Sequence, residues 1–186
     1  MKKLVCFAAA LVLSLFLNTC AYAQEPPEPD YLAAMAQAAA EGDLETGLEA
    51  ERLREEQLAR LAGEDPEAEA GTPVSFEELL LLSRLIYSEA GSNWLSDEFR
   101  MCVGEVALNR VESPEFPDSL KEVVYQEGQY EGVNTEEFKS SLPSKECVAV
   151  ALRLLLGERM LEKQVVFQAN FRQGTVYATF SDRVLG

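Results

Sequence analysis

The chain has 186 residues, 47% of them hydrophobic, and carries a formal net charge of −16 with no histidine at all. That is length and apolar content for one ordinary globular domain with a real core. The acidity argues against nucleic acid as a partner, since binding it needs a basic surface. The missing histidine excludes Ser-His-Asp and Cys-His catalysis and removes the usual ligands of a catalytic zinc.

Met1–Ala23 carries two lysines and no acid, an apolar run from Leu4 to Leu17, and "AYA" at 21–23. A basic start, an apolar middle and an A-x-A site describe a secretory signal peptide cleaved after Ala23. The apolar run is too short to span a bilayer comfortably, so the mature chain is expected to have no membrane span. "LNTC" at 17–20 offers a rival reading as a lipoprotein cleavage site, which Asn18 and Thr19 fit poorly. Cleavage takes the net charge from −16 to −18 and removes Cys6 and Cys20. Cys102 and Cys147 remain, as a disulfide or as two free thiols.

"QEPPEPD" at 24–30 reads as an extended spacer. An Ala-rich helix follows from Tyr31 to Gly42, and Asp43 caps a second that ends at Gly63. Leu44, Leu48, Leu53, Leu58 and Leu61 give the second helix a loose apolar stripe, so the segment is either packed on something or a partly helical, solvated spacer. "EDPEAEAGTP" at 64–73 is an acidic linker, and the domain boundary falls there. Residues 24–72 carry 14 acidic and 3 basic residues, as suits a solvated segment.

The remaining domain opens with helix grammar. Ser75 and Glu78 form a capping box, with Val74 and Leu79 as a staple, before a helix from Phe76 to Ala90 ended by Gly91. A second helix is expected over Asp97–Val111. Ser119 and Glu122 cap a short "LKEVVYQ" helix, "EGQYEGVNTEEF" is a loop entering another, and Ser144 caps a helix from Lys145 to Leu156. Only "QVVFQAN" and "TVYATF" look like strands, with "FRQG" between them. The fold class is therefore α+β: mainly helix with a small late β-hairpin, preceded by a helical, acidic spacer.

With histidine absent, an exported hydrolase of this composition works with carboxylates, tyrosine, lysine or an unusual metal site, and carboxylates acting on glycosidic bonds are the commonest answer. Glu89 is the leading candidate. Counting back in steps of three and four gives Ile86, Leu85, Leu82 and Leu81, the apolar stripe of its helix. A carboxyl on that side loses hydration, and its pKa rises, as a general acid requires. The alternative is a helix-terminal glutamate that bends into solvent. "AGSNW" then leaves the helix and supplies an indole at the start of a groove.

Four pieces together, "LLSRLIYSEAGS" at 81–92, "VGEVALNRVESPEFPDSL" at 103–120, "VVYQEGQY" at 123–130 and "VVFQANFRQGT" at 165–175, resemble the catalytic domain of SleB-type cell-wall hydrolases, the spore cortex-lytic enzyme family. The likeness spans residues 76–186. It implies a lysozyme-like domain over 73–186 after the signal peptide at 1–23 and the spacer at 24–72. It implies a secreted or cell-wall enzyme, in spore cortex or vegetative wall, that cuts the glycan strand of peptidoglycan between N-acetylmuramic acid and N-acetylglucosamine without a cofactor or metal. The family's acid falls on Glu89. The mechanism it implies is that of a lytic transglycosylase. The acid protonates the glycosidic oxygen, then acts as base toward the C6 hydroxyl, which closes onto C1 as a 1,6-anhydro sugar. Hydrolysis instead would need a second carboxylate about 5–9.5 Å away, with Glu105 and Asp97 nearest in sequence.

Substrate contacts carried over by the likeness are Tyr87, Trp94, Asn109, Gln129, Tyr130, Phe167, Gln168 and Asn170. Each has a structural alternative: core packing for Tyr87 and Trp94, a helix-end cap and salt bridge for Asn109 and Arg110, turn chemistry for Gln129 and Tyr130. Family domains usually continue past the Leu185–Gly186 of this chain. Two other classes stand beside the enzyme: a non-catalytic peptidoglycan-binding module with a lysozyme-like groove, and a protein-interaction module acting through the helices at 31–62.

Overall fold

The computed structural model describes residues 29–64 and 71–168. The signal peptide, Asn170 and most of the expected hairpin lie outside the described residues. Seven helices make up the described chain: α1 Tyr31–Glu41, α2 Leu44–Glu64, α3 Phe76–Ala90, α4 Asp97–Glu112, α5 Leu120–Tyr125, α6 Glu136–Ser140 and α7 Lys145–Leu155. No strand occurs among the described residues. The first expected strand is irregular over Val165–Gln168.

The helix ends follow local chemistry. Asp30, Ser96, Ser119, Thr135 and Ser144 each accept a hydrogen bond from a backbone N–H in the first turn of α1, α4, α5, α6 and α7. Asp43 does the same for α2 through the N–H of Thr46 at 3.1 Å. The Ser75–Glu78 box is the exception, since Ser75 makes no side-chain cap bond. The N–H of Phe76 donates instead to Glu51 Oε2 on α2, at 3.0 Å. A cap borrowed from another helix is tertiary, and no local pattern announces it.

Helix α3 is the centre of the fold and touches all six of the others. Its buried face, Phe76, Leu79, Leu82, Leu85 and Ile86, is completely enclosed. Helix α4 is buried along most of its length, with Arg100, Met101 and every residue from Val103 to Arg110 shielded from solvent. It therefore shows little of the one-sided pattern of a surface helix. Cys102 on α4 and Cys147 on α7 are both free thiols.

Helices α1 and α2, read from sequence as a packed or solvated spacer, pack on α3, and α1 also reaches α7. Met35, Ala38, Ala39 and Ala50 belong to the same buried cluster as Phe76 and Leu79. The contact is close at Gly47. A Cβ built there would lie 2.1 Å from the ring of Phe76. The α2 face toward solvent keeps Leu44 and Leu48 exposed. No described helix is long and apolar enough to cross a membrane.

Gly47→Ala tests this docking. Helix propensity alone favours alanine by roughly 0.5–1 kcal/mol, but the added methyl meets an enclosed ring, and overpacking costs about 1–3 kcal/mol. The variant should melt at a lower temperature than wild type, and an unchanged or higher Tm would show the α2–α3 contact to be loose.

Candidate functional site

Glu89 ends the apolar face of α3. Ile86, Leu85 and Leu82 point into the core, but Glu89 itself is exposed, so the leucines do not enclose it as the helical count predicts. The last turn is divided: Ala90 stays in the core, while Tyr87, Ser88 and Glu89 are exposed. Solvent reaches the side chain, yet enough protein surrounds the carboxyl to raise its pKa. Desolvation is the larger cause, and the negative charge of Glu131 adds to it.

The chain turns sharply after Glu89. Gly91 keeps ordinary right-handed backbone angles, not the left-handed cap expected of a terminal glycine. It is needed for closeness, since a Cβ there would lie 2.3 Å from the carbonyl oxygen of Tyr87 and 2.8 Å from its ring. The following turn is fastened from below. Arg100, buried in α4, donates from Nη2 to the carbonyl of Ser92 at 3.1 Å and from Nη1 to Asp97 at 2.8 Å. The N–H of Leu95 closes the turn on the same carbonyl at 3.0 Å. Leu95 is buried, and Trp94 beside it is 65% exposed. Tyr87 is also exposed. Both aromatic faces are therefore open to solvent near the end of α3.

The loop 126–135 joins α5 and α6, two helices that both pack on α3. Val124, Val133 and Phe138 bury the ends of this segment, and Tyr125 meets Phe138 edge-on at 6.4 Å. Tyr130 turns inward and is nine-tenths buried, while Glu131 is exposed. The phenol pKa is raised, first by burial, with Arg110 opposing and the charge of Glu89 reinforcing the shift. Tyr130 and Glu131 thus both lie within electrostatic reach of Glu89. Gln129 is half-buried, and its N–H bonds to the carbonyl of Gln126 at 3.2 Å, which is turn chemistry.

Arg110 links this loop to the end of the described chain. Its guanidinium carbon stands 5.1 Å from the Tyr130 ring centroid, 5.2 Å from Phe116 and 5.6 Å from Phe167. Nε donates to the carbonyl of Val166 at 2.7 Å. Among the described residues Arg110 has no carboxylate partner, so three aromatic rings take the place of a counter-ion. Each such contact stabilises a desolvated cation by about 0.5–2 kcal/mol. Phe167, 62% exposed, rests edge-on against Phe116 at 6.1 Å. Arg110 Nη1 and the Tyr130 hydroxyl are both buried and make no hydrogen bond of strict geometry, but the guanidinium stands close enough to the phenol to act as its donor and oppose the rise in its pKa.

One residue earlier on α4, Asn109 donates through Nδ2 to the carbonyls of Glu162 at 3.1 Å and Val165 at 3.0 Å. The side chain is buried. That is the structural employment set against substrate contact, although its partners are loop carbonyls and not the helix end. Glu105 is fully enclosed and accepts from the N–H groups of Met160 and Leu161 at 2.8 and 3.0 Å. Both its oxygens are occupied. Asp97 is paired with Arg100 at 2.8 Å. Neither is the free second carboxyl that hydrolysis requires.

The charge of Glu131 thus acts on Glu89 and that of Glu89 on Tyr130, and Arg110 is caged among Tyr130, Phe116 and Phe167. The structure records no contact to Glu89 from Trp94, Gln129 or Gln168, the last of which is exposed. Sequence reading missed Glu131 and Phe116. Glu131 follows a motif tyrosine in an exposed loop, and that adjacency was the available signal. Among the described residues no group of three or more cysteine or acidic side chains is placed to hold a metal ion.

Two predictions follow from these contacts. Replacing Glu105 by glutamine exchanges one acceptor oxygen for an amide and leaves one of the two N–H groups unmet, a loss of about 1–3 kcal/mol readable as a lower urea midpoint. Glu89→Gln should do the reverse at neutral pH. A carboxyl whose folded pKa is raised destabilises the fold once ionised, so stability falls as pH rises through its ordinary value toward the raised one. The variant should melt at or above wild type at pH 7, and the difference should vanish near pH 3. A variant less stable at pH 7 would mean that the ionised carboxylate is held by favourable contacts.

Comparison with known proteins adds one finding. Residues 96–183 match the family model described as Cell Wall Hydrolase. The match supports a cell wall hydrolase domain. It takes in α4 to α7, Arg110, the Tyr130 loop and Phe167, and begins beyond Glu89. No curated protein and no solved structure matches the chain significantly.

Proposed function

We propose that this protein is a secreted, SleB-like enzyme that cuts the glycan strand of peptidoglycan between N-acetylmuramic acid and N-acetylglucosamine, with Glu89 as general acid and then base. The observation that carries the reading is the carboxyl of Glu89 at the accessible end of α3, its pKa raised by partial desolvation and by the charge of Glu131. The cell wall hydrolase match over 96–183 supports the substrate class.

In the transglycosylase course, protonated Glu89 gives its proton to the glycosidic oxygen. The carboxylate then takes the proton of the muramic acid C6 hydroxyl as that oxygen closes onto C1. One carboxyl serves both steps, and no water enters. Exposed Trp94, Tyr87 and Phe167 offer apolar ring faces for sugar. Export after Ala23 delivers the enzyme to cell wall, whether spore cortex or vegetative. The helices at 31–62 belong to the packed body and keep an acidic, partly apolar outer face for a partner.

A hydrolytic course is the second reading, and Glu131 is the observation that favours it. It is an exposed carboxylate within electrostatic reach of Glu89, where a second acid would activate water.

Digestion of purified peptidoglycan, with products weighed by mass spectrometry, separates the two. Transglycosylation leaves anhydro-muropeptides, and hydrolysis leaves products heavier by one water. Glu89→Gln should lower turnover by at least about 10²-fold, at the low end of what a general acid contributes. A glutamine variant that cuts normally overturns the assignment of the acid.

A further inference from the structure

The loop between α3 and α4 carries an exposed indole on a turn that a buried side chain holds shut. Two donors meet at one acceptor there. The carbonyl of Ser92 takes the N–H of Leu95 at 3.0 Å and Nη2 of Arg100 at 3.1 Å, which uses both lone pairs of the oxygen. Arg100 is 5% exposed, and its other arm, Nη1, is fixed on Asp97 at 2.8 Å. One rigid fork therefore ties the first residue of α4 to the loop before it. Leu95 is sunk in the core, while its neighbour Trp94 is left 65% exposed. At the start of the loop the backbone of Gly91 lies against the ring of Tyr87, so close that a Cβ would stand 2.8 Å from it. The loop thus has an exposed aromatic ring at either end, on backbone held at three points.

Packing accounts for Leu95 but gives no reason to fix Trp94. A large side chain held out in water on an ordered turn has lost backbone freedom and gained little burial. The same ordering becomes an advantage on binding, because a ligand that meets a fixed ring has less to immobilise.

We propose that Arg100 is a positioning residue for Trp94, and that the indole it steadies is a stacking subsite for one sugar ring of the glycan strand. The inference rests on peptidoglycan being the substrate. The face of a pyranose ring that carries its axial C–H bonds is apolar, and the electron-rich face of an indole suits those hydrogens. No bond forms or breaks at this subsite. Lysine does not replace Arg100, since a single ammonium on a flexible stem lacks the fork that holds the Ser92 carbonyl and Asp97 together.

Trp94 is the only tryptophan in the chain, so tryptophan fluorescence reports this side chain alone. The first arm of the test needs no ligand. The decay of fluorescence anisotropy is compared in wild type and Arg100→Lys, with helix content checked by circular dichroism. The lysine variant should keep its helices and depolarise faster, and an unchanged decay overturns the positioning role. If Arg100→Lys does not fold, Asp97→Asn is measured in its place and should shift the same way by less.

The second arm adds a soluble tetrasaccharide of alternating N-acetylglucosamine and N-acetylmuramic acid, in a Glu89→Gln background that leaves it uncut. Binding is followed by Trp94 emission and, in parallel, by calorimetry. Emission should change saturably with the sugar. By calorimetry, Trp94→Ala should weaken binding by about tenfold or more, as for a truncated aromatic anchor. Arg100→Lys should weaken it by about 2- to 10-fold, the scale of one side chain left to be ordered on binding. Combined with Trp94→Ala, the lysine substitution should add nothing, and losses that multiply overturn the link between the two residues. Sugar bound by calorimetry without a change in emission, or no binding by either method, overturns the subsite. Wild type that leaves peptidoglycan intact while Trp94 still answers the tetrasaccharide refutes the proposed cleavage alone and leaves the subsite standing.

Discussion

A strip of polar side chains on α4 holds the end of the described chain against the core. Glu105, Asn109 and Arg110 make five hydrogen bonds to backbone between Met160 and Val166. That segment has no helix or strand of its own, so its N–H and C=O groups must find partners elsewhere once they leave water. Side chains from a neighbouring helix meet the need. The arrangement also explains why α4 can be enclosed on every side and still carry an acid, an amide and a guanidinium. Each is spent on backbone, except for the face of Arg110 turned toward the rings.

The same strip sets the distances across the candidate site. Phe167 and Tyr130 come from segments far apart in sequence and meet only because Arg110 lies between them. Glu89 arrives from a third element, and its pKa is raised without deep burial, by partial loss of water together with the nearby charge of Glu131.

Much of this was legible in the sequence. Capping residues and glycines marked six of the seven described helices to within a residue or two, because those signals are local and covalent neighbours settle them, whereas α6 was expected only as a short helix entered from a loop. Periodicity placed Glu89 on the apolar side of its helix, but the expected burial did not follow, since a helical count gives a direction and not what covers it. The Ser75–Glu78 box failed because Glu51, 25 residues away, answers the same N–H. Glu105 and Asn109 read as possible chemistry because an enclosed polar residue looks alike whether it faces substrate or a loop carbonyl. Only the loop's path, which has no pattern of its own, decides between them.

The contact of α2 with Phe76 has a consequence for the order of assembly. Of the described helices α1 and α2 are synthesised first, and on their own they have nowhere to hide Met35 and the alanines around it. Their cover arrives with α3 and is finished by α7, the last described helix. In return, the first turn of α3 waits for Glu51 before its leading amide is satisfied. The amino-terminal hairpin is thus an internal template for the body that follows, and neither half reaches its final form while the other is unfolded.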